Sequence, residues 1–284
     1  MLRAVLEPAA GLTPQVLDAI AALERRVIEA DGGRLKLEWG RLRGRSGDRV
    51  EDLLWWEDDR LVGFLGIYGF ETLPELSGMV DPDARRRGTG TGLLDAAISL
   101  CRDRGARRPL LIVPRASPAG RRLALRHGGV LDHSEHALVL SGDPITGRAG
   151  PVGLRPATVA DIPLISRLLE LGFGGPAPDD LATRLDAAYE QTVIVEFDGS
   201  AVGTLRLRHD RDGARIYAFV IDPAWRSRGI GRAALGRACE QLRAEGTNSI
   251  GLEVDAANDR ALTLYTSVGF TPIATEDYFA LPLS

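Results

Sequence analysis

The sequence predicts a duplicated mixed α/β fold, two tandem domains each with helices packed on a mixed sheet, and three observations carry that prediction. Residues 221–235 read IDPAWRSRGIGRAAL and residues 80–94 read VDPDARRRGTGTGLL, so Pro82 and Pro223, Gly88 and Gly229, and Gly90 and Gly231 hold matching places 141 residues apart. The hydrophobic patterns around the two segments repeat in the same order, helices first, then a meander of strands, then strand–helix–strand–helix–strand. Length is the third, since 284 residues are many for one core and suit two domains of about 140.

The first half opens with TPQVLDAIAALERRVIEA, whose apolar residues recur at helical spacing behind a Thr-Pro start. DLLWWED and RLVGFLGIYGF read as strands joined by a turn at Asp58, Asp59 and Arg60, and ELSGMVDP as a third strand. GTGLLDAAISLCRDRG is an amphipathic helix closed by Gly105, PLLIVPR a strand, AGRRLALRHGG a helix and HALVLSG the last strand. SGDPITGRAGP, rich in Gly and Pro, reads as a linker, which sets the expected domains at 1–142 and 151–284 with 143–150 between them. VADIPLISRLLELGF and DDLATRLDAAYEQ open the second half as helices, and TVIVEFDGSAVGTLRLR is a hairpin with Asp198-Gly199 at its turn. ARIYAFVIDP is a strand, GIGRAALGRACEQLRAEG a helix, SIGLEVD a strand, DRALTLYTSVGF a helix ending near Gly269, and YFALPL the terminal strand. LRPATVADIP at the start of this half echoes VLEPAAGLTP at the start of the first.

Composition excludes several classes of function. Hydrophobic content of 44% and charged content of 26% are ordinary globular values. No stretch offers the ~18 consecutive apolar residues of a membrane span. MLRAVLEPAAGLTPQ lacks the apolar run of a signal peptide, so a cytoplasmic protein with no membrane partner is expected. Cys101 and Cys239 fall in equivalent helices and read as small core residues in a reducing compartment. His133 and His136 have no third ligand at metal spacing, so no metal is expected. Residues 1–142 carry 21 Lys+Arg against 20 Asp+Glu and residues 151–284 carry 13 against 18, and neither balance is that of a nucleic-acid binder. GRLRGRSGDR (40–49) reads as a solvated loop rather than a phosphate track. One lysine, Lys36, against 34 arginines points to a GC-rich bacterial genome.

The repeated glycine segment carries the chemistry. A strand ending in a tight turn that feeds a helix presents several unpaired backbone N–H groups in one direction, and the helix dipole adds positive charge there. Glycines let the backbone approach an anion closely, and arginines supply charge-assisted hydrogen bonds. Gly229, Gly231 and Ala234 also satisfy a dinucleotide fingerprint, with Glu253 24 residues after Gly229. That rival fails on context: DPAWRSR intervenes between strand and glycines, and only 31 residues follow Glu253, too few to complete a doubly wound sheet. No Gly-Lys-Ser/Thr occurs, which excludes a P-loop.

Arg226-x-x-Gly229-x-Gly231 after a strand resembles the acetyl-CoA pyrophosphate loop of the GNAT superfamily of N-acetyltransferases, and Arg85-x-x-Gly88-x-Gly90 resembles it too. The likeness implies acetyl-CoA as co-substrate, held by the backbone of Phe219, Val220 and Ile221 and by the loop residues Arg226, Ser227, Arg228, Gly229, Ile230, Gly231 and Arg232. It implies a possible second CoA site at Arg85, Arg87, Gly88, Gly90 and Gly92. LEVDAANDRALTLYTSVGF (252–270) resembles the later motif of the superfamily as ribosomal-protein alanine acetyltransferases carry it, with the same 12-residue interval from Glu253 to Tyr265. By this likeness Glu253 is the base, Asn258 a cofactor contact and Tyr265 the acid. Other members place the base on the strand before the loop, where Arg215 and Ile216 here offer no carboxylate.

Counting back from Gly129 puts Leu125 where Tyr265 stands, Val113 in the place of Glu253, and Pro118 or Ser117 in that of Asn258, so the first half is expected to keep the loop without the chemistry. Glu75 at a strand start reads as structural. The implied reaction is attack of a neutral amine on the thioester, with Glu253 taking the proton, the Val220 N–H holding the oxyanion and Tyr265 protonating the thiolate. The expected acceptor is a small-molecule amine or a peptide N-terminus, gripped around GFGGPAPDD (172–180) and the terminal strands, and the acidity of the second half favours a cationic amine. Among tandem relatives, mycothiol synthase has this architecture with a weakened first half. A non-catalytic acyl-CoA-binding or sensing protein is the alternative, and the chain is expected as monomer or homodimer.

Overall fold

The computed structural model describes residues 4–70, 72–147, 150–175, 181–185, 190–210 and 213–283. In chain order its elements are β1 (Ala4–Ala9), α1 (Pro14–Asp31), α2 (Trp39–Arg43), β2 (Asp52–Glu57), β3 (Arg60–Phe70), β4 (Leu73–Val80), α3 (Thr89–Asp103), β5 (Leu110–Pro114), α4 (Pro118–Arg126) and β6 (Val130–Leu140). The second run is β7 (Val152–Pro156), α5 (Ile162–Phe173), α6 (Leu181–Leu185), β8 (Glu190–Phe197), β9 (Ser200–Asp210), β10 (Gly213–Ile221), α7 (Ile230–Ala244), β11 (Ile250–Asp255), α8 (Asp259–Val268) and β12 (Phe270–Ala280). The helix expected over 179–191 is described only as α6, and residues 176–180 of the expected acceptor segment lie outside the described residues.

Local chemistry accounts for the boundaries. Thr13 caps α1, its Oγ1 accepting from the Val16 N–H at 3.4 Å, with Pro14 at the first helical position. The β8–β9 turn takes positive φ at Asp198 (50°) and Gly199 (74°), which is what a two-residue hairpin loop demands. The strands β1 and β7 went unread in the sequence because Pro8 and Pro156 interrupt them, yet both are short edge strands, where proline is tolerated. Part of the segment expected as a solvated loop is α2, held by Leu42, which is buried.

Two compact units emerge, residues 1–135 with 274–284, and residues 136–273. They differ from the expected 1–142 and 151–284 division because the terminal strands are exchanged. In the first unit the strand order is β1-β2-β3-β4-β5-β12, with Tyr278 opposite Ile112 and Phe279 opposite Leu111. In the second it is β6-β11-β10-β9-β8-β7, with Leu138 and Leu140 of β6 in that unit's core. The exchange is invisible to hydrophobic pattern, since either strand presents the same alternation to either sheet.

Each unit has helices on both sheet faces. In the first, Leu93, Leu94, Ala97 and Ala124 of α3 and α4 pack one face and Ile20, Leu23, Val27 and Leu42 of α1 and α2 the other. In the second, α7 and α8 cover one face and α5 and α6 the other. Cys101 and Cys239 lie buried in these cores, and burial pushes their thiols up to about 11 and about 12.

Candidate active site

The second unit assembles its site from β10, the loop after it, β11 and α8. Along β10 the antiparallel ladder to β9 runs in register to Tyr217–Arg206 and resumes at Val220–Thr204, so Ala218 and Phe219 stand opposite the single residue Leu205. Ala218 takes φ 49°, unusual for a residue with a side chain, and marks a β-bulge. The parallel ladder with β11 covers Ala214–Ile216 against Ile250–Leu252, ahead of the bulge. Gly172 of α5 faces this strand so closely that a Cβ there would stand 2.5 Å from Val220 Cγ2.

After β10, Asp222 caps a short 3₁₀ turn, accepting from the Ala224 N–H at 3.0 Å. Arg226 Nε donates back to the Ile221 carbonyl at 2.8 Å, which folds the loop onto its own strand. Ser227 and Gly229 take positive φ (65° and 76°), and α7 starts at Ile230. The Ala233 N–H closes the first turn on the Gly229 carbonyl at 3.1 Å, so the amides of Ile230, Gly231 and Arg232 precede it without helical partners. A Cβ on Gly231 would meet Leu264 at 3.4 Å, Ile221 at 3.6 Å and Phe219 at 3.8 Å, ordinary contacts that the fold tolerates. The fold therefore does not require glycine at 231. A ligand approaching the amides would, and the same three neighbours show that the bulged strand, the loop and α8 converge there. The Arg228 guanidinium lies 4.9 Å from the Trp225 ring centroid. Arg232 departs from the expectation in its side chain, which donates from Nη2 to the Ser267 carbonyl at 3.0 Å, so only its backbone amide serves the cradle.

Glu253 projects from β11 on the face opposite Leu252 and Val254, which are core residues, and its side chain is 12% exposed. Its Oε1 lies 3.8 Å from Arg215 Nη1. Asn258 caps α8, its Oδ1 accepting from the Ala261 N–H at 3.0 Å, while an Asx turn at Asp255 links β11 to it. Tyr265 packs edge-on to Phe270, ring centroids 6.4 Å apart, and burial pushes its phenol up to about 12. Among the described residues its hydroxyl has no hydrogen-bond partner.

The first unit repeats the loop with different surroundings. Gly88 takes φ 93° and caps α3, and Arg85 Nε donates to the Val80 carbonyl at 3.1 Å. The remaining guanidinium nitrogens of Arg85, however, make two bonds to Asp31, at 2.7 and 2.8 Å, and Arg87 stands 3.6 Å from Glu57. Gly92 has a packing reason of its own, since a Cβ would stand 2.6 Å from Trp55 Cζ3. The β3–β4 ladder runs unbroken from Gly63–Val80 to Phe70–Leu73, without the bulge of β10.

The expected counterparts in the first unit shift by one residue. The left-handed glycines that close α4 and α8 are Gly128 (φ 73°) and Gly269 (φ 110°), and Ser117 caps α4 as Asn258 caps α8. Tyr265 then corresponds to Ala124 rather than Leu125, and Glu253 to Ile112 rather than Val113. Facing agrees: Val113 packs on the helices as Val254 does, whereas Ile112 lies on the other face. The counting error arose because Gly128 and Gly129 adjoin and only the backbone tells them apart.

The family model described as Acetyltransferase (GNAT) family matches this chain twice, over residues 20–128 and 164–270. A mycothiol acetyltransferase of Kineococcus radiotolerans is 30% identical over 295 residues, covering 95% of this chain and 94% of that protein. One of Clavibacter sepedonicus is 29% identical, covering 95% and 92%. Among solved structures, a GCN5-related N-acetyltransferase from Sphaerobacter thermophilus superposes with a TM-score of 0.80 at 20% identity, covering 100% of this chain and 97% of that one. A tandem GNAT protein from the clavulanic acid biosynthesis pathway superposes with a TM-score of 0.73 at 15% identity, covering 99% of both.

Proposed function

The chain belongs to the GNAT family of acetyltransferases and is an N-acetyltransferase, and from that premise we propose that it moves an acetyl group from acetyl-CoA to a primary amine at the site of the second unit. The observation that carries this is the convergence of bulge, amide cradle and α8 at Gly231, a position where the fold itself tolerates a Cβ. Acetyl-CoA supplies an activated thioester. The amides of Ser227 to Arg232 and the dipole of α7 bind its pyrophosphate, and the backbone from Phe219 to Ile221 orients its arm. Backbone N–H groups at the bulge, Val220 among them, stabilise negative charge on the acyl oxygen. An alkyl amine has a pKa of about 10, so a proton must leave before attack, and the Glu253 carboxylate receives it. Tyr265, protonated throughout the neutral range, donates from its hydroxyl to the departing sulfur.

Thiol release with acetyl-CoA and a panel of amines tests the reading. Release should depend on the amine and fall about 10²- to 10⁴-fold in Glu253→Gln, a typical cost for a lost general base. Amine-independent hydrolysis, or a Glu253→Gln enzyme at full rate, would overturn it. The full-length likeness to mycothiol acetyltransferases carries a second reading, in which deacetylated mycothiol is the acceptor. Acetylation of that compound with a kcat/KM far above simple amines would establish it.

A further inference from the structure

We propose that the acceptor of the second unit carries an anionic group, a carboxylate or phosphate, close to its reacting amine, and that Arg206, Arg208 and Arg215 recognise it. The proposal rests on the assignment of acetyl transfer to this unit and goes on to the acceptor's charge. Strand alternation supplies the geometry. Leu205 and Leu207 of β9 and Ala214 and Ile216 of β10 face the core under α7 and α8, which turns Arg206, Arg208, Arg215 and Tyr217 to the face where Glu253 projects. Register then sets them side by side: Arg215 is directly opposite Arg208, and Tyr217 opposite Arg206. The Arg208 guanidinium lies 5.6 Å from the Tyr217 ring centroid and the residue is only 6% exposed. Arg206 stands 3.5 Å from Glu190 and Arg215 3.8 Å from Glu253, both wider than the 2.7–2.9 Å of a close charge-assisted bond.

Like charges directly across a strand pair oppose each other, and burial strengthens the effect. A row of three guanidinium groups beside the base therefore repels an acceptor whose sole charge is its ammonium. It favours one that brings an anion, which planar guanidinium forks bind in bidentate fashion. Arg206 also lines a small cavity with Ala218 of the bulge, Thr192 and Thr204, roofed by Ile165 and Leu181. The anion's seat thus adjoins the backbone that faces the acetyl group. Overall acidity of the second half argued for a cationic amine, but the face that meets the acceptor has the opposite local charge.

The test uses matched acceptors: alanine with alaninamide, and 2-aminoethyl phosphate with ethanolamine. For the full-length enzyme, the anionic member of at least one pair should have a kcat/KM at least tenfold above its neutral partner. Which pair shows it separates carboxylate from phosphate. Arg206→Gln and Arg215→Gln, each checked for an unchanged melting profile, should shrink that ratio at least fivefold through KM, with Arg206→Lys between. Turnover that favours the neutral members, or a ratio unmoved in both variants, overturns the proposal while acetyl transfer stands. No turnover with any amine although acetyl-CoA binds overturns both.

Discussion

The two glycine loops have nearly the same backbone and opposite electrostatic surroundings. Gly88 and Gly229 both take positive φ and cap fifteen-residue helices, and Arg85 and Arg226 both bond back to their own strand. In the first unit the free end of that arginine is held by Asp31 and its neighbour Arg87 approaches Glu57, so the chain's own carboxylates sit where an outside anion would. In the second, Arg228 stacks on Trp225 instead. The strand behind the loop diverges as well, bulged in β10 and regular in β4. A copied motif therefore specifies the shape of an anion seat, and its neighbours decide whether the seat is available.

The sharpest break of the comparison removes the strand that completes the first unit. Deleting residues 274–284 strips Tyr278, Phe279 and Leu281, each at most 3% exposed, from that unit. It also removes the Tyr278 hydroxyl, which donates to Glu135 and accepts from Lys36. At ~2 kcal/mol or more per buried side chain the loss rivals the ~5–15 kcal/mol stability of a domain. Calorimetry should show the transition of the first unit lost. A truncated protein that melts like the full chain would refute the exchange. By the same logic residues 151–284 alone lack Leu138 and Leu140, and 136–273 is the better fragment to express.

Next in size is the loop itself. Gly229→Val should abolish detectable acetyl-CoA binding, because a branched side chain in the left-handed region costs ~1–2 kcal/mol and its Cβ crowds the cradle. Gly88→Val should leave turnover within a few-fold once stability is matched. Titration calorimetry and the progress curve decide; the reverse pattern would move the active site to the first unit.

Tyr265→Phe should lower turnover about 10²- to 10⁴-fold while acetyl-CoA affinity changes little. The phenol is pushed up to about 12 by burial, so it keeps its proton as pH rises and loses it only near that value. The rate between pH 7 and 10 should therefore not fall through this group. A loss with an apparent pKa near 9 that disappears in Tyr265→Phe would contradict the environment described.

How much of this was legible in the sequence follows from which interactions are local. Asp222-Pro223, Gly229 and Gly231 announced a strand, a turn and a helix start because each acts through its own backbone. Glu253 and Tyr265 were found by spacing, and period-two alternation alone fixes Glu253's face. The arginine row was in principle readable from RLRHD and ARIY, where every second residue faces away from the core, but its meaning needed the register of β9 on β10. The exchange of β6 and β12, the pairing of Asp31 with Arg85 and the service of Gly92 to Trp55 are long-range contacts. No window of sequence contains both partners.

The smallest effect probes why the first loop is closed. The Asp31–Arg85 pair is partly exposed, with side chains 36% and 28% accessible, and such a bridge contributes ~0.2–1 kcal/mol. Replacing Asp31 by Asn removes the carboxylate without shortening the side chain and frees the fork of Arg85 for an outside anion. In a Gly229→Val background, where only the first loop can bind, the change should strengthen CoA binding by up to about fivefold, the affinity equivalent of ~1 kcal/mol. The gain should shrink at high salt, since two exposed charges are screened over ~10 Å at 0.1 M. Titration of CoA into the single and double variants measures it directly. Equal affinity in the two would mean that Asp31 does not compete for the seat, and the unbulged strand β4 would then have to explain the silence of the first unit alone.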